Sequence, residues 1–393
     1  MRYRIRLAGL VLASCALLLL TTGTVLPAAE EFYWESPVVF SPAQGRFPVA
    51  AGNGTTSVVA WQESSGGTGE NESLTVRVSV GVKRTGSPWR IRRNIGGSYT
   101  FSGAEPAILS AVVDGRGRIL IAAAASSTET EVLVSDDGGE TFSRHRVDGT
   151  ADTSLAPRIY VRSDGGYLLF ATRGVEQSLS IFYSRSEDGR EWTPFQPFVA
   201  ESGLRLNFLP AHASLGGREY VVFQSLTGAV RPSFQLFLKS SADGGRTWTA
   251  ARQVTDFLDP YAGTRRESEN FDNQRPHLSS QGDSLFLVWE RRAGVGSPQV
   301  YAAELREDGA ILGQADRLTQ GGSYANNPVS IGYGNESAVL WFDNRRGRNR
   351  VYLGRRIGID WQDSDLSGSS GDASFARPVA DGEIGRASCR ERV

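Results

Sequence analysis

The sequence predicts an all-β chain: a six-bladed β-propeller whose blades are four-stranded and antiparallel. Three observations carry this. A turn motif recurs at near-constant spacing, beginning at Ser135, Ser186 and Ser241. A proline opens an apolar strand six times, at Pro48, Pro106, Pro157, Pro210, Pro276 and Pro328, with spacings of 58, 51, 53, 66 and 52 residues. No long stretch after residue 30 shows the apolar periodicity of a helix. Self-similarity at such a period marks a repeat architecture, and several short strands per repeat indicate propeller blades. A β-sandwich is the structural alternative, but it would not need six copies. At 393 residues the chain is long for one ordinary domain, and a ring of blades absorbs that length.

The chain opens with Arg2, Arg4 and Arg6, an apolar run from Leu7 to Leu20, and small residues at Ala28 and Ala29. This is the pattern of a bacterial secretory signal over residues 1–29, with cleavage expected near Ala28 or Ala29. Leu12-Ala13-Ser14-Cys15 also fits a lipid-attachment box, although the apolar run continues through Ala16–Leu20 beyond the cysteine. The run further approaches the length of a membrane span. The expected location is therefore outside the bacterial cytoplasm, with membrane association only through an uncleaved signal or a lipid on Cys15.

The repeated turns come next. Ser135-Asp-Asp-Gly-Gly-Glu-Thr-Phe142 and Ser241-Ala-Asp-Gly-Gly-Arg-Thr-Trp248 share one pattern, and Ser186-Glu-Asp-Gly-Arg-Glu-Trp192 is one residue shorter. Asp137, Asp188 and Asp243 suit bonding to the backbone of their own turn. Gly139 and Gly245 supply positive φ without steric cost. Phe142, Trp192 and Trp248 are apolar plugs that fold back onto the sheet. Strand-like runs precede each copy, at Glu131–Val134, Ser180–Tyr183 and Gln235–Leu238, so each turn is expected at the tip of a β-hairpin. Eroded versions stand at Ser79–Trp89, Glu307–Ile311 and Arg356–Trp361.

These residues resemble the Asp-box, or BNR repeat, of sialidases and their relatives. The pattern Ser-x-Asp-x-Gly-x-x-aromatic is met in full at Ser135 and Ser241. The resemblance covers about residues 32–380 and implies a sialidase-like propeller over residues 32–382. In that family the box is a structural clip on the rim away from the active site, so it speaks for architecture and leaves the chemistry to the opposite face.

Residues flanking each proline, and those ending each following strand, are the candidates for that face. The first group includes Arg46, Glu105, Arg158, His212, Arg275, His277 and Asn327. The second includes Gln62, Glu63, Arg173, Gln224, Glu290, Arg291, Asp343 and Arg345. An arginine fork matches a planar carboxylate such as that of sialic acid, while solvated strand ends and blade-to-blade salt bridges are the plainer use of the same residues. The resemblance implies an arginine triad, a Tyr nucleophile paired with a Glu, and an Asp acid. Arg46 in Arg46-Phe47-Pro48 approximates the family's first arginine, with Arg275 and Arg345 as the others, Tyr324 as the nucleophile, and Glu267 or Glu269 as its partner. The loop that would hold the acid, Gln62–Ser73, contains Glu63, Glu70 and Glu72 but no Asp.

The remaining composition narrows the function. Net charge is −1, which gives no electrostatic case for nucleic acid. His145, His212 and His277 are the only histidines and lack ligand spacing, so no metal or other cofactor is expected. Residues 383–393 resemble translated sequencing-adapter read-through and are set apart as non-native. With Cys15 in the signal and Cys389 in that tail, the remaining chain has no cysteine. The expected function is an exported propeller binding a glycan or an extracellular protein through its central funnel. An exo-α-sialidase is the alternative, and a structural module of a longer surface protein is a third.

Overall fold

The computed structural model describes residues 45–387, except for 67–72, 103–105, 127, 149–153, 176–177, 229–231, 256–270, 294–295, 334–335, 358–359, 368–377 and 382–383. The signal segment, Cys15, Glu70, Glu72, Glu105, Glu267, Glu269 and the tail from 388 lie outside the described residues.

Every described element is a β-strand. Among the described residues six antiparallel sheets follow one another along the chain, each built as a meander of four strands in sequence order. The first blade carries a fifth strand, Ser98–Ser102, beside its long third strand Ser73–Arg84. The predicted six-bladed, four-stranded architecture is thus the observed one. A two-stranded hairpin, Pro378–Asp381 with Ile384–Ala387, follows the sixth blade.

The second strand of each blade is apolar on both faces, and the reason is geometric. Successive side chains point to opposite sides of a sheet, and both sides of a blade are covered by other blades. In blade five, Leu285, Leu287 and Trp289 pack against Tyr220 and Leu236 of blade four. The intervening Phe286 and Val288 pack against Val339 and Trp341 of blade six. Strands buried on both faces read as continuous apolar runs rather than alternating ones, which is the pattern of Leu285-Phe-Leu-Val-Trp289.

The three repeated turns close as their residues dictate, each between the third and fourth strands. Ser135 Oγ donates to Asp137 Oδ1 at 2.8 Å and accepts the Gly139 amide at 2.8 Å. Thr141 donates both its amide and its hydroxyl to Asp137, and these bonds hold that carboxyl well below its ordinary range. Ser241, Asp243, Gly245 and Thr247 repeat the arrangement, and the shorter Ser186–Trp192 turn keeps the serine–glycine bond at 2.8 Å. Each turn rests on the blade before it. A Cβ on Gly139 would meet Val82 of blade one at 2.6 Å, and one on Gly245 would meet Leu168 of blade three at 2.8 Å. Arginines of the earlier blade reach forward to the same turns: Arg118 of blade two donates to the Asp188 carbonyl of blade three at 2.6 Å, and Arg162 of blade three to the Gly244 carbonyl of blade four at 3.1 Å.

One sequence expectation needs correction. The prolines were expected to open their strands, where a missing N–H is tolerated. Pro48, Pro157, Pro210, Pro276 and Pro328 instead lie inside the first strands, each at a register shift. A bulge leaves one residue unpaired in the ladder, so proline's lack of a donor is accommodated in mid-strand.

Candidate functional site at the mouth of the ring

Antiparallel pairing puts the N-terminal ends of the first strands and the C-terminal ends of the second strands on one rim, as in Arg46 opposite Gln62 and Gln274 opposite Glu290. The Ser-Asp-Gly turns lie on the other rim. The first rim carries the five proline bulges, and there the backbone is strained. Phe47, Ala156, Leu209, Arg275 and Asn327, each the residue before its proline, all adopt φ between 47° and 54°. A non-glycine residue in the left-handed region costs roughly 1–2 kcal/mol, and the position before proline ordinarily favours extended backbone. Such strain persists only where the surroundings over-determine it, and it clusters at functional sites.

At two of these bulges, and beside Pro106 of blade two, the surroundings include a polar side chain from the preceding blade. Gln62 of blade one donates to the Pro106 carbonyl at 2.9 Å and accepts the Ile108 amide of blade two at 3.2 Å. Gln224 of blade four accepts the Arg275 amide of blade five at 2.8 Å. Glu290 of blade five accepts the Asn327 amide of blade six. All three residues lie three or four residues before the end of the second strand of their blade, so one device recurs at three junctions.

The most organised part of the rim lies at blades four to six. Glu290 is 3 % exposed. Burial pushes its carboxyl above the ordinary range, and the Arg275 guanidinium and Asn327 amide pull part of that back. Arg275 Nη1 donates to Glu290 at 2.7 Å while 46 % of the arginine side chain stays exposed. Just upstream, Asn273 is fully buried; it accepts from Trp289 Nε1 at 2.8 Å and Arg291 Nε at 3.0 Å, and donates to Gln235 of blade four at 3.0 Å. Asp272 accepts the Phe234 amide of blade four at 2.9 Å. The segment leading into the Arg275 bulge is therefore clamped on both sides.

The other candidates are placed as follows. Tyr324 directly precedes the first strand of blade six and is 48 % exposed, with its amide donating to Asn344 Oδ1 at 2.9 Å. Arg46 is exposed at the start of blade one, opposite Gln62. Arg345 follows the second strand of blade six, but its guanidinium is held by Asp343 at 2.6 Å and by Asp363 of the outermost strand at 2.7 Å, over the Tyr352 ring at 4.2 Å. Arg46, Arg275, Arg345 and Tyr324 thus share one rim, with Arg345 turned towards the outer strands of its own blade.

Sequence reading named Arg275 and Glu290 separately and did not pair them. It also passed over Asn273, Gln235 and Gln299. Gln235 accepts from Thr255 and Gln299 from Thr319, each at 2.9 Å. The signal was a twenty-residue Gln-to-Thr spacing repeated in blades four and five.

No family model and no curated protein matches the chain. Among solved structures, it is similar to an ulvan lyase of polysaccharide lyase family PL25, 11% identical over 86% of this chain and 88% of that one, with a TM-score of 0.54. The ulvan lyase bound to -[GlcA(1-4)Rha3S]- gives 11% identity over 87% and 88%, with a TM-score of 0.53. A Hadza microbial sialidase, Hz136, is 14% identical over 79% of this chain and 69% of that one, with a TM-score of 0.47. The propeller fold is accordingly one shared, at low identity, with glycan-active enzymes.

Proposed function

We propose that this chain is an exported propeller with sialidase-like BNR repeats that binds an acidic glycan at the mouth of its central funnel. The observation that carries the reading is Arg275. Its backbone is pinned by Gln224, its guanidinium is pinned by the buried Glu290, and nearly half of its side chain faces solvent. Much of the entropy lost on gripping a ligand is already spent in such a side chain. Its remaining N–H donors suit a planar carboxylate or a sulfate. The ulvan lyase complex, in which a similar fold holds a uronic-acid-containing chain, is consistent with that ligand class and carries no reaction with it.

The test is an array of sialylated, uronic-acid-containing and neutral glycans, followed by calorimetry on the hits. Acidic glycans bind, the affinity falls by about 10-fold or more in Arg275→Ala, and it weakens as salt screens the charge. Neutral glycans as the sole hits, or indifference to Arg275→Ala, overturns the reading.

A hydrolytic reading has one observation of its own. Tyr324 stands exposed on the same rim, its backbone fixed to Asn344 by bonds in both directions. If the protein is an exo-α-sialidase with Tyr324 as nucleophile, it turns over a fluorogenic sialoside and Tyr324→Phe abolishes that turnover. No turnover, or turnover unaffected by the change, removes this reading and leaves the binding one intact.

A further inference from the structure

Five of the blade junctions share one construction. Blades one and two are joined by a single apolar cluster containing Val58 and Ile119, and single clusters likewise join two to three, three to four, four to five, and five to six. The junction between blades six and one is different. Blade six presents a cluster of its own around Val329, Leu340 and Leu353. Blade one presents another, Val59 and Trp61 with Ala50 and Trp89. The backbone of Pro378–Asp381 lies between them, against the first strand of blade six on one side and the first strand of blade one on the other.

The outer turn of blade one points the same way. Gly139, Gly189, Gly245 and Gly309 each have a side chain of the preceding blade within van der Waals reach of an added Cβ. Gly86, in the corresponding turn of blade one, has open space. The sequence agrees. Pro378 follows Pro328 by 50 residues, one fewer than the shortest of the other spacings, and Pro378-Val-Ala-Asp-Gly382 parallels Pro48-Val-Ala-Ala-Gly52 of blade one. Arg377 stands before Pro378 as Arg275 stands before Pro276.

We infer that Pro378–Asp381 is the first strand of a seventh blade, and that the gap between blades six and one is a docking surface for the rest of that blade. The occupant is this same chain, continued past Gly382. Two apolar faces on opposite sides of a gap call for a sheet buried on both faces, and a lone two-stranded hairpin is too small to supply one. Ile384–Ala387 takes the second-strand place with residues that resemble adapter read-through, so the native second strand is encoded after the Gly382 codon. The funnel mouth then has seven first strands.

Two measurements test this. Long-read sequencing of the locus past the Gly382 codon is expected to reveal roughly 35–50 further residues with an apolar strand and a turn, the remainder of one propeller repeat. A stop codon directly after Gly382, or a continuation without strand pattern, overturns the inference. Hydrogen exchange then compares the 393-residue chain with the chain carrying the native continuation in place of residues 383–393. Amides in Gly45–Gly52 and Ala325–Tyr333 slow by about 10-fold or more in the longer chain, while those in Arg218–Thr227 do not change. Unchanged exchange in both edge strands also overturns it, as does a longer chain that dimerises through this gap.

Discussion

The Glu290 carboxylate of blade five accepts a hydrogen bond from the Asn327 amide at the left-handed turn of blade six. The carboxylate is buried and also holds Arg275 at 2.7 Å. One side chain therefore fixes two neighbouring bulges. Glu290→Ala leaves the amide and the guanidinium without their acceptor and is expected to cost about 2–4 kcal/mol. Glu290→Gln keeps an acceptor and costs clearly less. Urea unfolding of the three proteins checks this, and equal losses would show that the acceptor is not what matters.

The turn rim gives a separable effect. Ser241 is buried, and its Oγ accepts the Gly245 amide at 2.8 Å. Ser241→Ala orphans that amide and is expected to cost about 1–2 kcal/mol. Glycan affinity at the opposite rim stays within error. A fall in affinity without a fall in unfolding free energy would contradict the division of labour between the rims.

Gly245→Ala is expected to cost more, about 2 kcal/mol or above. It places a side chain at φ +78° and drives its Cβ to 2.8 Å from Leu168 of blade three. The companion change Leu168→Ala should recover part of the loss in a double-mutant cycle. Additive losses would mean that the two residues do not press on each other.

Acid sensitivity should trace to Glu219. Burial pushes its carboxyl up, but bonds from His212, Ser163 and Ser214 outweigh burial and hold it at about 2, against an ordinary 4.5. A depressed carboxyl contributes stability that is complete above the unfolded value and is lost as pH falls through the folded one. The contribution of Glu219 is therefore present above about pH 4.5 and disappears towards pH 2. Glu219→Gln should flatten the stability curve across that window, measured by denaturant titration at several pH values.

What the sequence made legible was what is decided locally. Ser135 and Asp137 are two residues apart and close their turn by themselves, so three turns and their hairpins could be read without tertiary information. The six described four-stranded sheets followed from proline spacing. The bulges did not, because proline alone restricts its predecessor to extended backbone. The left-handed geometry of Arg275 or Asn327 is imposed by register and by a side chain of the neighbouring blade. The Arg275–Glu290 pair was hidden for the same reason: the two lie 15 residues apart and meet only once a bulge has reset the ladder. Asn273 and Gln235 are 38 residues apart on different blades.

The turns that rest on their predecessors give the ring a direction. Gly139, Gly189, Gly245 and Gly309 each settle on a blade earlier in the chain, and Arg118 and Arg162 reach forward from those earlier blades to receive them. A chain leaving the ribosome N-terminus first thus offers every new blade a surface already built. The contacts run one way round, like courses of masonry, and the seam falls where the last course must meet the first.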